Sequence, residues 1–346
     1  MLSISEVQTQ IHVRKSVLNN ILNPVFTALH KRATTMLILL VSFSAVQAAP
    51  TDTYSLMTGM GALAYISEWD GRDAIFIRDA GGENVIFSCS AGNVIILTPS
   101  VSPDGKYITF IVDNGRNQKT IHILGPILNI GNRWQANDLE VASVRGGAWP
   151  VFSDSQSVYM SMPEQTSLTN DGSTNIYLIS TEEIKKISDN LGVSSHIWPL
   201  INSTGDELIY RYVPQPDEMG YTTERVRSII LDLSSGTSEM HFVNQHVFLE
   251  QWTVLGDILF SFRDKDQDGN RIYALYNTET RETKEIYRSK SRQGALMGDS
   301  KFLATIRPVP KGSAMYDIFV VDLDSKIETN LTQSPKQSES IIGWIR

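Results

Sequence analysis

The chain has 346 residues, of which 41% are hydrophobic and 20% are charged. This is the composition of a globular protein, which excludes an intrinsically disordered chain and a fibrous one. The net charge of −8 argues against a nucleic-acid-binding protein, because such proteins present a basic surface to the phosphates.

Residues 1–48 are predicted to be a leader that ends in a secretory signal peptide, with its core and cleavage region at 36–48. A Lys-Arg pair at 31–32 precedes an apolar run that starts at Met36, and the small residue Ala48 occupies the expected cleavage position. This run is shorter than the roughly 20 apolar residues of a membrane-spanning helix. A signal peptide is therefore favoured over a membrane anchor.

The rest of the chain, 50–346, is expected to be exported to the periplasm or the extracellular space. Residues 1–35 form a longer polar lead than signal peptides usually have, so Met36 is an alternative start of translation. Without residues 1–48 the chain loses four basic residues and one acidic residue, and its net charge becomes −11. We expect a monomer with no integral membrane segment, which binds neither nucleic acid nor anionic lipid by charge.

The mature chain contains a repeated strand pattern. Short runs of β-branched and aromatic residues begin at six isoleucines, which are separated by 46, 55, 53, 43 and 46 residues. Polar or turn-forming residues precede each run, which is typical of β-strands. The six runs begin at Ile75, Ile121, Ile176, Ile229, Ile272 and Ile318.

Each run is the third strand of a four-stranded unit, whose strands we label A to D. In the best-preserved unit, 99–124, strand A leads into the turn Ser102–Gly105, where Pro103 presets the first corner. A period of roughly 40 to 50 residues with four strands predicts an all-β protein, a six-bladed β-propeller over 50–346. The first unit lacks strand A, and we expect the C-terminal strand, 341–346, to supply it and close the ring.

Four tryptophans occupy similar places near strand A of different units. We expect them to pack between blades, because a single sheet cannot bury both of its faces alone. A ring of tryptophans that stacks on sugars is the alternative. The four are Trp149, Trp198, Trp252 and Trp344.

These elements resemble TolB-like β-propeller repeats. The family's Pro-x-Trp-Ser-Pro-Asp-Gly turn is matched by 99–105 except at Val101, its Asp-Gly-x-x-x-Ile-Tyr strand by 171–177 and, with one residue fewer, by 268–273, and its Leu-Thr link by 331–332. The resemblance covers nearly all of 60–346 and implies the propeller. Only about a dozen residues separate the predicted signal peptide from the first blade, so we do not expect the N-terminal α/β domain of TolB.

The loop that begins at Asp264 is a candidate Ca²⁺ site and the only cofactor site that the sequence suggests. Acidic residues at its first, third and fifth positions and a glycine at the sixth are typical of loops that wrap oxygen ligands around Ca²⁺. An EF-hand has Glu at the twelfth position, whereas this chain has Leu275. An ordinary polar hairpin is the alternative. The candidate ligands are Asp264, Asp266, Asp268 and Asn270.

The loops between strands B and C become long in the last four units, at 163–175, 213–228, 263–271 and 307–317. Loops that a rigid scaffold positions often carry function, so we predict that this B–C face is the interaction surface. Its candidate contact residues are Met219, Tyr221 and Tyr316.

Catalytic motifs give little support for an enzyme. The mature chain has no His-Glu-x-x-His pair, no Gly-x-Ser-x-Gly elbow and no phosphate-binding glycine-rich loop. We therefore expect a binding or scaffold module for a protein or a cell-surface glycan. A secreted hydrolase or lyase with its active site at the central channel is the alternative, because propellers host both kinds of function.

Overall fold

The structure is a computed structural model. It describes residues 57–346 except 116–118, 164–172, 189–193, 216–224, 267–268, 310–314 and 334–337. All of the described residues belong to one compact unit, Asp52–Arg346. The predicted leader at 1–48 lies outside them. In the described part of the chain, no helix has the length and apolar character needed to cross a membrane.

The described chain consists of β-strands joined by turns, as the repeated strand pattern predicted. The strands are β1 (Ala62–Trp69), β2 (Arg72–Asp79), β3 (Gly82–Ser88), β4 (Ile95–Val101), β5 (Ile108–Asp113), β6 (Lys119–Leu124), β7 (Leu128–Ile130), β8 (Arg133–Gln135), β9 (Asp138–Val144), β10 (Ala148–Asp154), β11 (Ser157–Pro163), β12 (Thr174–Ser180), β13 (Ile184–Lys186), β14 (Ser194–Ile201), β15 (Glu207–Pro214), β16 (Arg227–Asp232), β17 (Ser238–His241), β18 (Phe248–Trp252), β19 (Ile258–Arg263), β20 (Arg271–Tyr276), β21 (Thr283–Ser289), β22 (Gly294–Leu296), β23 (Phe302–Pro308), β24 (Tyr316–Asp322), β25 (Glu328–Asn330) and β26 (Ser340–Ile345).

Five sheets and one small hairpin account for these strands. In chain order, we call the sheets I (order β26-β1-β2-β3), II (β4-β5-β6-β9), III (β10 to β17), IV (β18-β19-β20-β21) and V (β22-β23-β24-β25). Strands β7 and β8 form the hairpin. The sheets follow one another along the chain and surround a central cavity, which is the arrangement of a β-propeller.

Sheet III differs from the sequence prediction of six separate four-stranded sheets. It contains eight strands, so the described strands form four four-stranded sheets and one of eight. The reason is one parallel residue pair, Thr174 with Ser195, which joins β12 to β14. Apart from this pair, β10 to β13 and β14 to β17 each follow the antiparallel order of a single unit.

The last strand pairs with the first. Strand β26 runs antiparallel to β1, with Trp344 opposite Leu63 and Ile345 opposite Ala62. This confirms the predicted placement of the C-terminal strand next to the first unit. The pairing leaves β1 without a free edge, because β2 occupies its other side.

The hydrophobic core consists of clusters that lie between consecutive sheets. One cluster joins sheets I and V, and others join I to II, II to III, III to IV, and IV to V. A further cluster joins the two halves of sheet III, with Val151 and Tyr159 on one side and Ile201 and Leu208 on the other. Each sheet therefore buries its two faces against its neighbours.

Candidate functional site

A cavity of about 670 Å³ lies where six strands converge. Its walls include β26 from sheet I, β4 from sheet II, β10 and β14 from sheet III, β18 from sheet IV and β22 from sheet V. Ligand pockets in proteins typically have volumes of roughly 300 to 1,000 Å³. The cavity can therefore hold a small ligand or a short segment of a longer one.

Strands β4, β10 and β14 each have a β-bulge at the cavity, and the three bulges have similar sequences. The pairing register of each strand shifts at a residue followed by proline. The residues before the prolines are Thr98, Trp149 and Trp198, with φ values of 44°, 57° and 53°. Positive φ is uncommon for residues other than glycine, and such conformations cluster at functional sites. Proline is tolerated at a bulge because no ladder hydrogen bond is lost there.

Three aromatic rings form an arc along the cavity wall. The rings of Trp149 and Trp198 meet edge to face with their centroids 5.5 Å apart, and the Trp198 and Phe248 centroids are 5.8 Å apart. The three residues line the cavity from β10, β14 and β18. We call them the aromatic arc, which offers apolar surface for stacking with a ring or an extended chain.

The four tryptophans grouped by the sequence analysis belong to two different positions. Trp252 and Trp344 are only 4% and 6% exposed and pack in clusters between sheets, as predicted. All four line the cavity, but Trp149 and Trp198 are only half-buried at the bulges of its wall, where their rings pack against each other from β10 and β14. In sequence, Trp252 aligns with Phe152, which follows the bulge of β10.

Glu250 lies at the bulge of β18 and lines the same cavity. Its Oε1 atom accepts a hydrogen bond from Ser261 Oγ at 2.6 Å, and its Oε2 atom accepts one from the Gly294 amide at 3.3 Å. Burial raises the pKa of this carboxyl to about 7, although the hydrogen bond from Ser261 and the charge of Arg271 act in the opposite direction. The carboxyl therefore exchanges its proton near neutral pH.

Arg271 is the cationic neighbour of Glu250. Its Nη1 atom lies 3.5 Å from Glu250 Oε1 and donates to the Arg292 carbonyl at 2.7 Å. The guanidinium carbon lies 4.0 Å from the centroid of the Phe248 ring, which is a cation–π distance. The Phe248 ring thus joins the aromatic arc to the Glu250–Arg271 pair.

These groups allow two kinds of chemistry in one cavity. The aromatic arc and Arg271 suit the binding of a ligand with apolar and anionic parts. A carboxyl with a pKa near neutrality suits proton transfer. None of the described residues that line the cavity is a histidine. The cavity wall combines aromatic and apolar surface with the charged side chains of Glu250, Arg271 and Arg292.

The sequence analysis did not identify Glu250 or Arg271. The three strands with positive-φ bulges have proline at the position that Glu250 occupies in β18. The sequence analysis treated Trp149, Trp198 and Trp252 as equivalent, and that equivalence places Glu250 out of register with the prolines. If the four strands are aligned by their bulges, Glu250 occupies the position of Pro99, Pro150 and Pro199. This replacement of proline by a carboxylate is the sequence signal for the site.

Tyr316 is the one predicted contact residue in the described part of the chain. It is half-buried at the start of β24 and packs against the cluster between sheets I and V. The Arg292 guanidinium carbon lies 5.1 Å from its ring centroid. The other two predicted contacts, Met219 and Tyr221, lie outside the described residues.

Three of the four predicted Ca²⁺ ligands are described, and Asp268 lies outside the described residues. The Asp264 side chain is 2% exposed, and its Oδ2 atom lies 3.0 Å from Arg288 Nη1. Its Oδ1 atom accepts the Asp266 amide at 3.0 Å. Asp266 is exposed and Asn270 is half-buried. Within the described residues, no three His, Cys, Asp or Glu side chains gather as a metal site would require.

Comparison with solved structures supports the β-propeller fold. No family model and no curated protein matches the sequence. The chain is similar to the solved structure of TolB from Acinetobacter baumannii, with a TM-score of 0.58 and 16% identity over 84% of this chain and 70% of that one. This similarity confirms the resemblance to TolB-like propellers at the level of fold.

Two further solved structures are more distant. A putative TolB from Agrobacterium tumefaciens has a TM-score of 0.48 and 11% identity, over 82% of this chain and 98% of that one. An oligogalacturonate lyase from Vibrio parahaemolyticus has a TM-score of 0.48 and 12% identity, over 78% of this chain and 84% of that one.

Proposed function

We propose that this protein is an exported, monomeric, six-bladed propeller that binds a segment of a protein or a cell-surface glycan in its central cavity. In the six-blade count, sheet III supplies two blades, β10 to β13 and β14 to β17. The single residue pair between β12 and β14 supports this division. So does the hydrophobic cluster between the two halves, because blades pack face to face.

The observation that carries the proposal is the aromatic arc beside the Glu250–Arg271 pair within one cavity of about 670 Å³. Large rigid rings supply binding area at little cost in conformational entropy, and a nearby charged pair fixes the orientation of a ligand. A cavity of this size accepts a few residues or sugar units, not a folded domain.

The B–C face is the proposed entrance. Arg271 is the first residue of β20 and directly follows a B–C loop. Arg292 belongs to the connection that leads into β22, and its guanidinium lies near Tyr316. The remaining predicted contacts, Met219 and Tyr221, belong to another B–C loop, 213–228.

A secreted hydrolase or lyase is the second candidate function. The observation that favours it is the Glu250 carboxyl, whose pKa of about 7 suits a general acid or base. Binding ranks first because the described residues of the cavity wall include no histidine to act with Glu250. Turnover of a bound oligosaccharide or peptide that disappears in Glu250→Gln would reverse this ranking.

Arrays of oligosaccharides and peptides, probed with the labelled protein, test the proposed function. We expect wild type to bind one class of array ligand, and Trp198→Ala to lose at least tenfold in affinity for it. Trp134→Ala is the matched control, because Trp134 is a half-buried tryptophan on β8, outside the cavity. Equal binding by wild type and Trp198→Ala would contradict a role for the cavity.

A further inference from the structure

Arg271 has unused hydrogen-bond donors at the cavity. Its hydrogen bonds to described residues all leave from the Nη1 atom, toward the Arg292 carbonyl, Ser261 Oγ and Glu250 Oε1. A guanidinium has five N–H donors in a fixed fork. The side chain is 20% exposed, and Arg271 lines the cavity. The Nη2 and Nε donors are therefore available to a ligand.

A second arginine, Arg292, lies beside Arg271 at the cavity wall. Arg292 lines the cavity wall, is exposed, and forms no ion pair with any described residue. Its backbone carbonyl accepts the hydrogen bond from Arg271, so the two residues are in direct contact. The ring of Phe248 supports Arg271 and the ring of Tyr316 lies near Arg292, which limits the positions of both cations. Two such forks match the geometry of an oxyanion.

Glu250 is an imperfect counter-ion for Arg271. The separation of 3.5 Å is longer than a charge-assisted hydrogen bond, whereas the neutral Ser261 hydroxyl lies at 2.6 Å. When Glu250 carries a proton, Arg271 has no ionised partner among the described residues. When Glu250 is ionised, its charge competes with any anion that approaches Arg271.

We propose that Arg271 and Arg292 form a subsite for an oxyanion group of the ligand, and that Glu250 controls its occupancy by taking up or losing one proton. The inference rests on the proposed function, because the subsite belongs to the same cavity. It adds the chemical class of the ligand, which carries a carboxylate, sulfate or phosphate next to the part that contacts the aromatic arc.

The groups around Glu250 determine whether anion affinity rises or falls with pH. Arg271 and the buried hydroxyl of Tyr273 face it from β20, Ser261 from β19, and the Gly294 amide from β22. Among these groups only Arg271 carries a charge at neutral pH. Because the pKa of Glu250 is about 7, anion affinity should rise as the pH falls through neutrality. A bound anion should in turn raise that pKa further.

The test is a titration of the full chain with sodium formate or sodium sulfate in a chloride background of constant ionic strength. Both anions keep their charge between pH 5.5 and 8.5. We expect wild type to bind at least tenfold more tightly at pH 5.5 than at pH 8.5. Glu250→Gln should bind equally at both pH values, with the affinity of wild type at pH 5.5. A preference for formate indicates a carboxylate ligand, and a preference for sulfate indicates a tetrahedral one.

Two arginine variants identify the site. At pH 5.5, Arg271→Gln should lose at least tenfold in affinity and the exposed Arg292→Gln about threefold, while Arg288→Gln, outside the cavity, should match wild type. If Arg271→Gln fails to fold, the anion affinity of Arg292→Gln still tests whether the subsite includes the arginines. Unchanged anion binding in a folded arginine variant, or no anion binding by wild type, would overturn the proposal. Loss of array binding in Trp198→Ala would still support the proposed function in that case.

Discussion

The Glu250 carboxyl is held more closely by a neutral hydroxyl than by its cationic neighbour. Ser261 Oγ lies 2.6 Å from Glu250 Oε1, and Arg271 Nη1 lies 3.5 Å from the same atom. A hydroxyl donor and a distant guanidinium compensate only part of the cost of burying a charge. This explains why burial dominates and the pKa of Glu250 rises to about 7.

The stability of the protein should depend on the proton at Glu250. Its pKa rises from 4.5 to about 7 on folding, so the folded state holds the proton more tightly than the unfolded state. The resulting stabilisation is complete below pH 4.5 and is lost as the pH rises through 7. A shift of this size corresponds to about 3 kcal/mol.

Urea denaturation of wild type and Glu250→Gln at pH 4, 5.5, 7 and 8.5 measures how much the proton on Glu250 stabilises the folded state. We expect wild type to lose about 3 kcal/mol relative to Glu250→Gln between the lowest and the highest pH. Other carboxyls titrate in both proteins and cancel in the comparison. Parallel pH profiles would show that the pKa of Glu250 does not change on folding and would remove the basis of the proton control.

Trp344 and Trp149 should differ in their contributions to stability. Trp344 is buried between sheets I and V, and its Nε1 atom donates to the Ala295 carbonyl at 2.9 Å. We expect Trp344→Ala to lower the free energy of unfolding by about 3 to 5 kcal/mol through loss of packing. Trp149→Ala should cost less than half as much, because Trp149 is half-buried at the cavity. Equal losses in urea denaturation would contradict the two environments.

The fold was predictable because the turn chemistry and the strand pattern agree. The Ser102–Gly105 turn and the isoleucines near the start of each strand C define the unit, and Trp344 identified the partner of β1. The joining of sheet III was not predictable. It depends on one backbone pair, Thr174 with Ser195, to which the side-chain pattern is insensitive.

The candidate site was harder to predict than the fold. Trp149 and Trp252 look equivalent in sequence and both line the cavity, but Trp149 is half-buried at the bulge of β10, whereas Trp252 is buried in the cluster between sheets III and IV. The partners of Glu250 come from β19, β20 and β22, which are separated from it by 11 to 44 residues. Periodicity reports which face of a strand is buried, not which side chains meet across sheets.

The proposed Ca²⁺ site at 264–270 competes with a salt bridge. Arg288 holds Asp264 at 3.0 Å and also donates to Glu285 at 2.6 Å. A cation in the loop must displace or repel this guanidinium, so Arg288→Gln should tighten Ca²⁺ binding at least threefold. Asp266→Ala should weaken it to a similar extent. Calorimetric titration measures both changes, and an absence of heat in wild type and in Arg288→Gln would exclude the site.

The glycines at the A–B turns of two units provide a matched test of the C-terminal contact. Gly105 and Gly205 have φ values of +73° and +79°, so an alanine at either position adopts the same unfavourable conformation. A Cβ atom at Gly105 would lie 2.9 Å from Arg346 Cγ and 3.0 Å from its backbone nitrogen, whereas a Cβ at Gly205 meets nothing within 4 Å.

We expect Gly205→Ala to cost about 1 kcal/mol and Gly105→Ala about 1 to 3 kcal/mol more, because overpacking adds to the backbone strain. The Arg346 amide donates to the Gly105 carbonyl at 3.3 Å, and the preceding Ile345 is buried, so the chain end cannot move away without breaking both contacts. The difference between the two variants in urea denaturation therefore measures how firmly the end of the chain is held. Equal costs would mean that Arg346 moves aside freely and that its contact with the Ser102–Gly105 turn is weak.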